Sequence, residues 1–178
     1  MTKPLPLEFV TSKATLGWRD ILFGFSKELL DWKDVVELAT RAIDSGTKMP
    51  EIIDLALVTK ETISEIPNLL EKASANSLTN GDSIKKWFYL SLVWLYEHEP
   101  QYADPLAEVE DIAAEFGFPE ESLEMVTFMP PQGEYQPALH TTAENSARLR
   151  NAWRGFVEEH SEGYKDEWQR LPPTPPSS

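Results

Sequence analysis

Ten carboxylates crowd one short stretch of this chain: Glu97, Glu99, Asp104, Glu108, Glu110, Asp111, Glu115, Glu120, Glu121 and Glu124. Grouped carboxylates can dock a cationic partner, hold a metal ion, or move protons as acid and base. Three of them, Glu108, Asp111 and Glu115, recur at i, i+3 and i+7. That spacing places them on one face of a helix, opposite Leu106, Val109, Ile112 and Phe116. Like charges so placed destabilise a helix by roughly 0.2–0.5 kcal/mol per pair. Such a face calls for positive charge from elsewhere. It is a solvated face offset by Arg148, Arg150 and Arg154 of the same chain, or a docking surface for a basic partner.

The charge of the whole chain points to the same stretch. Net charge is −14, from 16 basic and 30 acidic residues. Residues 87–147 hold twelve of the acidic residues and no Lys or Arg, so −12 of the −14 resides there. Phosphate backbones are bound by Lys and Arg, so this balance argues against nucleic acid. It favours fast encounter with a cationic protein.

Other chemistries find less support. There is no cysteine, which excludes disulfides, thiolate metal sites and a Cys nucleophile. Ser26 sits in GFSKE, the wrong setting for a nucleophile elbow. His98 lies between two glutamates, but adjacent residues do not face each other on a helix. His140 has no companion motif, and His160 at a helix end suits the helix dipole. Glycine loops for phosphate are absent, as are the di-iron and calcium-loop patterns. No cofactor is expected, and an enzyme is not. The longest uncharged apolar run, residues 87–96, is ten residues, half of what spans a membrane. Pro4, Pro6 and Glu8 interrupt any signal-peptide core. The expectation is a cytoplasmic protein with no membrane contact.

The elements that must position the acidic stretch are all read as helices. From Trp87 to Tyr96 only Ser91 is neither apolar nor aromatic. A helix apolar on all sides is buried on all sides, so residues 84–98 are expected to be the central helix. Asp82 caps it after the Asn80-Gly81 turn, and Pro100 stops it. Before it, residues 1–15 read as irregular. Trp18, Ile21, Leu22, Phe25 and Leu29 then mark one amphipathic helix. Asp31 caps a second, faced by Trp32, Val35, Val36, Ala39 and Ile43 and ended by Gly46. Pro50 opens a short third with Ile52, Ile53, Ala56 and Leu57. Ile63, Ile66, Leu70 and Ala73 continue the spacing, with a break or restart at Pro67. After the central helix, Asp104-Pro105 starts the acidic helix, which runs to Gly117. Residues 118–126 suggest another short helix. Residues 127–141 form a long proline-rich loop, Thr141 and Glu144 make a capping box, and Leu149, Trp153, Phe156 and His160 give a last helix. The expected architecture is all-α, about seven or eight helices in one domain over residues 1–170, with a disordered tail at 171–178.

Four pieces of sequence resemble a small bacterial family of unknown function: FVTSKATLGWRDILFGF, KKWFYLSLVWLYEHE, DPLAEVEDIAAEFGFPEE and FMPP, in that order. The family carries no catalytic motif, so the resemblance assigns no residue a role. In size, acidity and helical character the chain is also similar in type to immunity proteins of bacterial toxin systems.

The leading expectation is therefore an immunity protein that occludes a basic toxin domain, such as a nuclease. Its candidate partner-binding residues are Glu97, Glu99, Asp104, Glu108, Asp111, Glu115, Glu120, Glu121 and Glu124. One alternative is a non-enzymatic adaptor that uses the 127–141 loop, with Met129, Tyr135 and Leu139 as anchors. Another is a metal-dependent hydrolase built on Glu108, Asp111 and Glu115.

Overall fold

A computed structural model describes residues 4–75, 83–129 and 133–164. The described residues form eight α-helices and no strand. They are α1 (Leu7–Lys13), α2 (Trp18–Ser26), α3 (Trp32–Asp44), α4 (Pro50–Ala56), α5 (Ile66–Ala75), α6 (Ser83–Glu97), α7 (Pro105–Glu115) and α8 (Thr142–His160).

The boundaries follow local chemistry. Asp31 accepts from the Lys33 amide, and Asp34 returns the bond to the Asp31 amide. Asp104 accepts from the Ala107 amide to start α7. Thr141 and Glu144 form the reciprocal capping box of α8. In each case the side chains satisfy amides that the first helical turn leaves over. Gly46, at φ 100°, takes the left-handed conformation that ends α3. The break at Pro67 proves to be a restart: a 3-10 turn at Ile63–Glu65 leads into α5, with Pro67 in its first turn.

Helix α6 is the centre. Its buried residues are Ser83, the run from Lys86 through Val93, and Leu95, while Trp94 and Tyr96 are half-buried. It packs against α2, α7 and α8. Helices α3, α4 and α5 pack in series, and α5 joins α2. Trp153 of α8 donates its indole N–H to the Leu92 carbonyl, at 3.2 Å. Gly24 of α2 admits the Trp87 ring: a Cβ there would lie 2.2 Å from it.

The structure corrects four expectations. Helix α2 ends at Ser26, and Glu28 takes a positive φ, so Leu29 lies beyond the helix. Residues 7–13 are helical, not irregular. Leu7 and Val10 of α1 are buried, Phe9 meets the Trp94 ring edge-on at 4.9 Å, and the Leu5 amide before it bonds the Leu29 carbonyl. The buried face of α4 is Ile52 and Leu55; Ile53 and Leu57 are exposed. Residues 118–126 form only a 3-10 turn at Glu120–Ser122, because Gly117 and Phe118 both adopt positive φ and turn the chain sharply. The Asp82 cap, the Asn80-Gly81 turn and the 171–178 tail lie outside the described residues.

Candidate functional site: an acidic segment with a cleft beside α7

The acidic segment leaves the C-terminal end of α6 at Glu97 and wraps back along α7. Basic residues from three other elements meet part of it. Lys13 of α1 pairs with Glu97, and Arg150 of α8 pairs with Glu99. Lys85 of α6 reaches Glu121 at 2.6 Å, and Arg148 of α8 reaches Glu124 at 3.1 Å. Of the arginines expected to offset the Glu108, Asp111 and Glu115 face, Arg148 and Arg150 pair instead with Glu124 and Glu99, on either side of α7, and Arg154 is exposed. Burial alone would raise the Glu121 carboxyl, but hydrogen bonds from Lys85 and its own backbone, with the Lys85 charge, hold it below the ordinary range.

The remaining carboxylates divide further. Asp104 caps α7. Glu110 accepts from the Thr127 amide at 2.7 Å and ties the following loop to the helix. Glu115 and Glu120 are exposed at the far end. Glu108 and Asp111 line a cleft of about 460 Å³ between α6, α7 and the N-terminal segment. The i, i+3 part of the three-residue acidic face thus meets at one place, and Glu115 does not line that cleft.

The cleft is built from four pieces of chain. Pro4, Leu5 and Pro6 form one wall. Helix α6 contributes Ser91, Trp94 and Leu95, and α7 adds Ile112 beside the two carboxylates. Tyr102, after the 3-10 turn at Glu99–Gln101, completes it. The Trp94 ring is held by His98 stacked at 3.7 Å. The nitrogen Nδ1 of that histidine lies 2.8 Å from the Trp94 carbonyl oxygen. His98 is thus a packing residue of the cleft wall. His160 likewise contacts its own helix, at the Phe156 carbonyl. Among the described residues, no three His, Asp or Glu side chains group as a metal site requires.

A second polar cluster, which sequence reasoning missed, lies at the start of α6. Lys86 is 1% exposed and donates to Asp20 Oδ2 at 2.6 Å and to the Thr15 carbonyl at 3.0 Å. Ser83 donates to Asp20 Oδ1 at 2.6 Å, the Gly17 amide donates to Oδ2, and the Trp87 indole donates to the Asp20 carbonyl. Ser83 and Lys86 have the spacing of a Ser–Lys nucleophile pair, but here the hydroxyl and the ammonium both serve one buried carboxylate. The cluster therefore fastens α2 to α6. A lysine flanking the apolar run was the signal available for it, and nothing marked that lysine as buried.

Among the described residues of the 127–141 loop, two large apolar side chains are exposed, Phe128 and Leu139. Tyr135 is fixed: its hydroxyl donates to Asn145 at 2.7 Å, its ring stacks with His140, and the Arg148 guanidinium lies 5.1 Å from the ring centre. Residues 130–132 of the loop lie outside the described residues. Among the described residues, no helix is long and apolar enough to cross a membrane.

The model of the family described as an uncharacterized protein conserved in bacteria (DUF2247) matches residues 7–161, and the chain belongs to that family. No curated protein and no solved structure matches it.

Proposed function

We propose that this member of DUF2247 is a non-catalytic binding protein that docks a strongly basic protein partner on its acidic segment and blocks it. A toxin domain is the partner that fits best, with the chain as its cytoplasmic immunity protein. The observation that carries this reading is what remains after internal pairing. Glu97, Glu99, Glu121 and Glu124 have cations of their own, yet Glu108 and Asp111 stand together at a cleft with none among the described residues. The paired carboxylates fix the shape of the surface, and the unpaired ones are available to a partner. Blocking would be steric and electrostatic: carboxylates take the place of substrate phosphates on a nuclease-like partner. Such contacts set association rate and specificity more than affinity.

The test is recovery of the partner from the bacterium that encodes the chain, by crosslinking the tagged protein and identifying the product by mass spectrometry. A basic protein recovered by the native chain, and lost with Glu108→Lys/Asp111→Lys/Glu115→Lys, is the expected result. Association measured with that partner should slow at least tenfold for the triple variant and lose its salt dependence. Unchanged binding by the triple variant would sink the assignment.

Exposed Phe128 and Leu139 favour a second reading, an adaptor that binds through the 127–141 loop. Replacing Phe128 and Leu139 together by serine separates the two. An adaptor loses its partner, whereas an immunity protein keeps it.

A further inference from the structure

The cleft beside α7 contains a buried polar atom that the fold leaves unanswered. Ser91 is 2% exposed, and its hydroxyl has no hydrogen-bond partner among the described residues. A serine inside a helix ordinarily bonds back to a carbonyl one turn earlier, and buried hydroxyls are rarely left alone. This one lines the same cleft as Glu108 and Asp111. Aromatic and aliphatic walls from Trp94, Tyr102 and Ile112 surround the three polar groups. At about 460 Å³, the space falls within the range of true ligand sites, roughly 300–1,000 Å³.

We propose that this cleft is an arginine pocket: it receives one arginine side chain of a protein partner, with an apolar neighbour of that arginine against the Ile112 wall. The proposal rests on the docking reading above and names what enters the site. A guanidinium is planar, always charged, and carries only donors. Glu108 and Asp111, one turn apart on α7, supply acceptors side by side. Ser91 of α6 lines the same cleft, and its hydroxyl, without a partner among the described residues, is the third, neutral acceptor for the guanidinium. Trp94 and Tyr102 bring aromatic side chains to the cleft wall, and guanidinium groups pack well against aromatic rings. An ammonium fits less well, being a compact point charge without a plane to stack. An anion would meet two carboxylates and no cation. The volume exceeds what one arginine fills, which leaves room for its neighbour in sequence.

The experiment is an NMR titration of the full ¹⁵N-labelled chain with acetyl-Leu-Arg-Leu-amide. The lysine and citrulline counterparts and free arginine are titrated alongside. The arginine peptide is expected to shift the Trp94 indole and the Ser91 amide. The citrulline peptide, isosteric and uncharged, should bind at least tenfold more weakly, and the lysine peptide several-fold more weakly. Glu108→Gln/Asp111→Asn should weaken the arginine peptide at least tenfold, and Ser91→Ala about fivefold. Equal binding of lysine and arginine peptides would overturn the proposal, as would shifts confined to another face. An unaffected Ser91→Ala variant would do the same. Free arginine binding as tightly as the peptide would overturn the protein source and make the cleft a small-molecule site. The two readings fail separately. A silent titration beside a basic partner that the triple lysine variant loses ends the pocket alone. Peptide binding without such a partner ends the docking reading alone.

Discussion

Helix α6 carries two buried polar sites, and they are finished to different degrees. At its start, around Lys86, the carboxylate of Asp20 and the ammonium of Lys86 are fully engaged with each other and with Ser83, Gly17 and Thr15. Five residues on, the Ser91 hydroxyl has no partner among the described residues, and the nearby Glu108 and Asp111 have no cation there. The first site is what a fold needs when it buries charge: the attraction and the extra hydrogen bonds must offset the loss of water. The second leaves a buried hydroxyl unanswered at a cost in stability, and under our proposal a partner's guanidinium completes it.

The most forceful way to break this contrast is at the finished cluster. Lys86→Met leaves the Asp20 carboxylate buried without its cation, and should destabilise the chain by about 3–5 kcal/mol in chemical denaturation. Adding Asp20→Asn removes the stranded charge and should recover a large part of that loss. If Lys86→Met were harmless, the cluster would not be the fastening that its geometry implies.

The opposite sign is expected at the unfinished site. Ser91→Ala removes an unanswered hydroxyl from the core and should raise stability by about 1 kcal/mol. A rise in melting temperature together with weaker peptide binding would sharpen the distinction. A fall in stability would show that the hydroxyl has a partner within the fold.

The smallest effect belongs to the acidic rim. Glu121 titrates below its ordinary value in the folded chain, held there against burial by the Lys85 bond. A lowered folded value means that its contribution is complete above the ordinary glutamate range and disappears as pH falls through the lowered one. The acid limb of a pH–stability curve should therefore be slightly shallower for Glu121→Gln than for the native chain. The pair is partly exposed, so the difference should also shrink in high salt.

Much of the fold was legible because its signals are local. Asp31, Asp104 and Thr141 cap helices within three residues of themselves, and Gly46 and Pro50 act on their own backbone. Helix α1 was not legible. It has two turns, one buried pair and a proline before it, and its support comes from Trp94 and Leu29, far along the chain. The site was half legible. The acidic helix face was evident from spacing, but its division into paired and unpaired carboxylates depends on Lys13, 84 residues from Glu97, and Arg150, 51 residues from Glu99. The cleft was hidden for the same reason. Ser91 was the one polar residue in the apolar run, yet its company is supplied by Pro4–Pro6 and by α7.

The close fit of Gly24 to the Trp87 ring makes a claim about descent. A side chain at 24 and an indole at 87 cannot occupy the same space, so neither position can drift alone. Across the family, glycine at 24 should accompany tryptophan at 87. Lineages that have exchanged the indole for a smaller residue should be the ones in which position 24 has been released to alanine or serine. An alignment would then record the contact between α2 and α6 as a paired substitution.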